Sequence, residues 1–333
     1  MTENKMFELT PDEDRKMKPF YTVDQLIEEL RYSTVDPLTF TESEISFAQE
    51  FFSYTNYYSF SIYKKQLPKK AGKAYSFSDC MVLYDFNYYL RSELNRITGK
   101  IELMLKSSFL KSVCQNYEGE LQKGECYLDS NLYRNIEEFE EVKLIMERIV
   151  SESKTLPIRH HLENKKGKIP LWVVMPELTF GETTGLISSM KDEIKNQWIE
   201  DSFISLNRID RKIHGEELKN KIYGWFSAAW YIRNRCAHYS RLYGCNFNVA
   251  NPGFFSIDFR KIKKYGKKKN HNKDLFAYML AIKNILVFHS LVTQSEWNVF
   301  LNGMQIYLAS NSGILIPSKI GLTDNWYECL KIM

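Results

Sequence analysis

No stretch of this 333-residue chain approaches the roughly 18 consecutive apolar residues of a membrane-crossing helix, so no membrane partner is expected. The N-terminal MTENKMFELTPDEDRK is polar and lacks the apolar core of a secretory leader. Cysteine is sparse: residues 80, 114, 126, 236, 245 and 329 form no C-x-x-C pair, and no histidine pair accompanies a cysteine pair. That argues against a zinc site, and a disulfide framework is a poor fit at this length. The thiols read as free in a reducing cytoplasm. His160 and His161 adjoin in a basic, glycine-containing segment but are not read as metal ligands. The apolar–polar alternation that marks strands is almost missing, and there is no internal repeat. What remains is a cytoplasmic, all-α protein without a metal.

Hydrophobic content of 44% and charged content of 26% are ordinary for a globular protein. Aromatic content of 14%, with 21 Tyr and 21 Phe, could supply core and stacking surfaces alike. A net charge of +4 permits an anionic partner without demanding one.

Residues 1–18 read as a flexible charged tail and 19–75 as an N-terminal helical module. Thr22–Gln25 and Thr41–Glu44 are capping-box patterns that open its helices. The aromatic group Tyr54, Tyr57, Tyr58, Phe60 and Tyr63 reads as core. The segment 64–73, KKQLPKKAGK, is a basic turn. The clearest helix follows over 83–113, where Phe86, Leu90, Leu94, Ile97, Ile101 and Leu105 draw one apolar stripe. Glu102 and Lys106 sit at i, i+4 and read as a surface ion pair. Residues 115–136 read as loop, and an amphipathic helix follows with Phe139, Val142, Met146 and Ile149 on its apolar side. LWVVM at 171–175 reads as a buried extended connector, and one helix is expected from about Thr183 to Trp198. Between Arg260 and Lys273 lie eight Lys/Arg and no acid, a solvated loop or an RNA-backbone contact. Thr293–Glu296 reads as a third capping box, and Trp326 as the anchor of the C-terminal tail.

The stretch that carries chemistry is RNRCAHYSRLYG, residues 233–244, at the end of a helix expected over 217–242 and stopped near Gly244. Asn234 and His238 lie one turn apart on such a helix, and the long Arg233 side chain can swing towards them. A permanent cation, an amide and an imidazole then converge, a set suited to a phosphodiester: arginine grips phosphate and histidine moves protons near neutral pH. An Arg–His pair on a helix also occurs as plain surface, but the apolar run Ile222, Phe226, Ala229, Trp230, Cys236 half-buries this one.

This string resembles the signature of AbiD/AbiF-type abortive-infection proteins (the Abi-like family), whose core is a HEPN domain with an Arg-(four to six residues)-His motif. PLWVVMPELTFGE at 170–182, LYDFNYYLRSELNRITGKIELMLKSS at 83–108 and NYY at 56–58 resemble further blocks of that family, in its order. The resemblance implies an all-α HEPN-type helical bundle with an N-terminal helical extension, over 76–333, with a basic loop at 259–274. It implies a metal-independent endoribonuclease of phage defence, without cofactor, acting as a homodimer because one motif supplies one histidine. Arg233, Asn234 and His238 would be catalytic, with Glu102, Tyr239 and Arg241 in support, and Glu102 leaning towards the motif arginine. RNA would be gripped by Lys64, Lys65, Lys69, Lys70, Arg260, Lys261, Lys263, Lys264, Lys267, Lys268 and Lys269. The sequence departs from the family at Asn87, where aspartate is common, at Lys106, where arginine is usual, and at Gly244, where asparagine is frequent. The rival reading is a HEPN scaffold that holds a structured small RNA without cutting it.

Overall fold

The computed structural model describes residues 19–69, 74–205, 215–249, 252–262 and 273–333. The expected tail at 1–18 and residues 263–272 of the basic loop lie outside them, as does Lys70. The chain divides into two compact units, Met1–Tyr84 and Asp85–Met333. The first carries α1 (Val23–Tyr32), β1 (Leu38–Thr39), α2 (Glu42–Tyr54), α3 (Tyr57–Lys64), β2 (Tyr75–Ser76) and the first turns of α4 (Phe77–Asn116). The rest of α4 belongs to the second, followed by α5 (Ile136–Glu152), α6 (Leu156–Asn164), α7 (Leu171–Val174), α8 (Phe180–Ser189), α9 (Asp192–Ile199) and α10 (Glu216–Ala237). After them come α11 (Ser256–Lys261), α12 (Leu275–Leu286), α13 (Leu291–Ser310) and α14 (Trp326–Leu330). The fold is all-α; the two-residue parallel pair β1–β2 is its one sheet among the described residues. None of the described helices is long and apolar enough to cross a membrane.

The second unit is built round α12, whose residues are all buried except Lys283. α10 lies along it, and α8 covers α10 in turn. Trp198 on α9 is fully enclosed by Phe109, Phe203, Tyr223 and Phe226, and its indole N–H donates to Ser108 Oγ at 3.1 Å. Burying so large a ring requires that partner for its one polar group.

Four expectations need correction here. Residues 171–177 are not extended: α7 runs into a short 3-10 turn, with Leu171, Val174 and Met175 buried at helical spacing between two prolines. The helix expected over Thr183–Trp198 is two helices, because Met190 turns extended and forms an antiparallel bridge with Tyr133. Arg134 N–H then donates to the Ser189 carbonyl and Lys191 N–H to that of Leu132, so the break is paired and not frayed. Ser290, not Thr293, caps α13, which leaves Glu296 to pair with Lys100 and Arg96 of α4. Trp326 is half-buried; the C-terminal tail is tied down by the Trp297 indole donating to the Leu330 carbonyl and by Asn298 bonding Ile332 through both amide atoms.

In the first unit both expected capping boxes form, Thr22 with Gln25 and Thr41 with Glu44. Phe52, Phe60 and Phe77 make a buried aromatic core, while Tyr54 and Tyr58, expected inside, are exposed. Glu44 serves two helix starts at once. Its Oε2 accepts from Thr41 N–H at 2.8 Å at the head of α2, and its Oε1 from the Ser78 N–H at 2.9 Å and hydroxyl at 2.5 Å at the head of α4. Partial burial pushes this carboxyl up, but the Ser78 and Thr41 hydrogen bonds together win and hold it at about 2, below its ordinary 4.5. A carboxyl depressed in the folded state contributes stability that is full above the unfolded value and is lost as pH falls through the folded one. Acid titration of the wild type, followed by circular dichroism, is therefore expected to show a loss of stability between about pH 4.5 and about 2 that Glu44→Gln lacks. An identical acid limb in the variant would place that loss elsewhere.

Candidate functional site

The motif is positioned by the polar side of α4, which runs antiparallel to it. Going down α4 while going up the motif, Glu102 meets Arg233, Arg91 meets Tyr239 and Asn87 meets Leu242 and Tyr243. Residues 88, 91, 92, 95, 99 and 102 recur at three- and four-residue steps, so one stripe of the helix reaches the whole motif.

The motif helix ends sooner than expected. α10 stops at Ala237, His238 is its C-cap, and Tyr239 takes the left-handed conformation at φ 53°. Tyr239 N–H donates to the Cys236 carbonyl and Ser240 N–H to the Arg235 carbonyl, the two bonds of a Schellman cap. Glycine usually fills that position, because a side chain there costs about 1–2 kcal/mol. Here Arg91 Nη1 donates to the Tyr239 carbonyl at 2.7 Å, and its guanidinium sits 5.5 Å from the tyrosine ring centre. Gly244, expected to end the helix, instead occupies a later turn at φ 67°.

Arg233 is half-exposed, with Nε 3.6 Å from Glu102 Oε2, and its Nη1 donates to Asn234 Oδ1 at 3.2 Å. Glu102 is largely buried and also accepts from Lys106 Nζ at 3.0 Å, which in turn donates to the Pro176 carbonyl. The Glu102–Lys106 pair is thus interior and not the surface pair its spacing suggests. A carboxylate between two cations holds the arginine's near edge and leaves the far edge of its fork to solvent. His238 keeps the last helical bond, its N–H donating to the Asn234 carbonyl at 3.0 Å, so the two residues stay one turn apart. Its ring is exposed and hydrogen-bonded to none of the described residues.

The other expected residues scatter. Arg241 Nη1 donates to the Tyr243 carbonyl at 2.9 Å, a role internal to the turn. Arg235, which was not singled out, donates to the Arg241 carbonyl at 2.7 Å and lies over Phe247. Lys64 is 9% exposed, and its ammonium donates to the Val35 carbonyl at 2.9 Å; burial pulls it below the ordinary lysine value. Lys65 and Lys69 are exposed. Arg260 and Lys261 are described only as backbone of α11, and Lys70, Lys263, Lys264, Lys267, Lys268 and Lys269 lie outside the described residues. Sequence reasoning missed Arg91, although its place on the Tyr88–Glu102 stripe was a signal for it. Tyr88, Arg91, Ser92 and Asn95 of α4 with Cys236, Ala237 and Tyr239 line a cleft of about 350 Å³ beside the motif.

The family model described as Abi-like protein matches residues 50–244, more than half of the chain, and its match ends on the last residue of the motif. The chain belongs to the Abi-like family. That membership points to abortive infection, a form of phage defence. Searches against curated proteins and against solved structures gave no match. Within this Abi-like protein, the three segments that resemble family blocks in the second unit meet physically: α4, the turn at Pro176 and the motif are linked through Glu102 and Lys106.

Asn87 fixes the far end of the motif. It is fully buried, and its Oδ1 accepts from Leu242 N–H at 2.8 Å and Tyr243 N–H at 2.9 Å, while its Nδ2 has no partner among the described residues. Only the acceptor oxygen is used, the part an amide shares with a carboxylate. Asn87→Ala would strand two buried backbone donors, and a loss of about 3 kcal/mol is expected on the scale of unsatisfied buried groups. Asn87→Asp, which keeps the acceptor, is expected to retain most of the stability. Urea denaturation of the three proteins checks both, and an alanine variant as stable as the wild type would show the turn to be held by other contacts.

Proposed function

We propose that this Abi-like protein is a HEPN-type, AbiD/AbiF-like endoribonuclease of phage defence, cutting RNA without a metal and acting as a homodimer. One observation carries the reading: Arg233 is oriented by Glu102 and Asn234, while the His238 ring stands exposed one turn on, hydrogen-bonded to none of the described residues. RNA brings its own nucleophile. The 2′-hydroxyl attacks the adjacent phosphorus, the bond to the 5′-oxygen breaks, and a 2′,3′-cyclic phosphate and a 5′-hydroxyl remain. The enzyme must take a proton from the attacking oxygen, give one to the leaving oxygen and neutralise charge on the phosphorane. His238 moves protons, Arg233 meets the phosphorane oxygens with the open edge of its fork, and Asn234 positions. A second copy facing the first supplies the second histidine, so that one acts as base and the other as acid.

Purified protein is expected to cut total RNA in EDTA, leaving cyclic phosphate ends, and to fail at a position whose 5′ nucleotide is 2′-deoxy. His238→Ala should lose roughly 100-fold or more in rate, the scale of general acid–base catalysis, with Asn234→Ala milder. Arg233→Lys should also lose most activity, since an ammonium keeps the charge without the planar fork. Light scattering should report a dimer at micromolar concentration. Products bearing 5′-phosphate, or full activity in His238→Ala, refute the mechanism, and a strict monomer removes the paired histidines. RNA that is bound tightly and never cut favours the scaffold reading instead.

A further inference from the structure

The cleft beside the motif contains a charge the fold leaves uncompensated. Arg91 is 8% exposed, yet among the described residues it has no carboxylate partner. One of its five N–H donors goes to the Tyr239 carbonyl, the remainder have no hydrogen-bond partner among the described residues, and the side chain lines the cleft. The Cys236 thiol on the same wall is pushed up to about 12 by burial, against the pull of Arg91 and Arg235. It stays a neutral thiol at any physiological pH. A buried guanidinium without a counter-charge is costly unless an anion arrives.

The rim says which kind of anion. Tyr88 and Tyr239 are 55% and 74% exposed, and their ring centres stand 5.9 and 5.5 Å from the Arg91 guanidinium carbon. Tyr239 is held there by a left-handed backbone that favours glycine, so a ring has been kept where a hydrogen would sit more easily. Ser92 and Asn95 add groups that both donate and accept. The volume of about 350 Å³ lies at the lower end of ligand sites, on the scale of one nucleotide. A bare phosphate would have no use for the two rings, and a duplex would hide its bases from them.

We infer that this cleft is a subsite for one unpaired nucleotide of an RNA strand, its phosphate on Arg91 and its base stacked on Tyr88. This rests on the RNA-cleaving reading above and adds to it a preference for single-stranded RNA over duplex. His238 lies in the chain between Ala237 and Tyr239, two residues that line the cleft.

The test uses the full chain with 5′-fluorescein-labelled twelve-nucleotide oligo(A) and oligo(U), single-stranded or annealed to each other. Affinities are read by fluorescence anisotropy in the His238→Ala background, where cutting is slowed, and cleavage is read on gels with His238 intact. Single strands should bind more tightly than the duplex. Arg91→Gln is expected to weaken single-strand binding about tenfold or more, and Tyr88→Leu about tenfold, the scale of one lost base–aromatic stack. Tyr88→Phe, which keeps the ring, should bind as the parent does. Because Arg91 also supports the turn, the exposed Tyr88 pair carries the test should Arg91→Gln fold poorly. Unchanged affinity in Tyr88→Leu, or no preference for single strands, overturns the subsite while cleavage leaves the catalytic reading standing. Absence of both binding and cleavage in the parent protein overturns the two together. A dimer that falls apart in Arg91→Gln with RNA affinity unchanged would assign the cleft to a carboxylate of the second copy.

Discussion

The turn after α10 exists in its present form because two side chains of α4 bond to its backbone. Asn87 accepts the N–H groups of Leu242 and Tyr243, and Arg91 donates to the carbonyl of Tyr239. Backbone groups buried away from water need partners, and no regular element is available to supply them at this point. The two contacts stop the helix at Ala237, place His238 on its last turn, and hold Tyr239 in a conformation that a non-glycine residue adopts at a cost. Everything proposed for the motif follows from where that helix stops.

Charge is organised along the same face. Glu102 lies between Lys106 and Arg233, with Lys106 reaching on to the carbonyl of Pro176. Glu102 and Lys106 are largely shielded from water, so their attraction is screened less than a surface pair would be. The arrangement orients Arg233 without consuming all its donors. Eleven residues towards the N-terminus on the same stripe, Arg91 has no such carboxylate among the described residues. One arginine is tethered at the motif, and the other lines the cleft beside it with no carboxylate among the described residues.

Part of this was open to a reader of the sequence. The capping boxes at Thr22 and Thr41 and the apolar stripe of α4 are local patterns, decided by residues three or four apart, and they form where the pattern places them. The motif string itself was visible too, and so was the acid at Glu102. The helix end was misplaced by several residues, because Gly244 is the obvious stop while the actual one relies on a guanidinium 148 residues away in the chain. Lys64 stands in a basic run that reads as solvated, and only the Val35 carbonyl draws its ammonium inside. The break at Met190 depends on pairing with Tyr133, which no periodicity within 183–198 announces.

By itself the sequence determined the fold class, the family and the place of the motif string in the chain, because amphipathic period and short motifs are written in near neighbours. Tertiary structure decided which of those residues face one another and which are absorbed by the fold. Arg233 became oriented, Lys64 became structural and Arg91 came to line the cleft beside the motif through contacts between segments distant in the chain, while Arg241 was absorbed by its own turn. The physical reason is that a cation's role depends on whether a carboxylate, a carbonyl or an empty cleft lies within its reach, and that is set by packing.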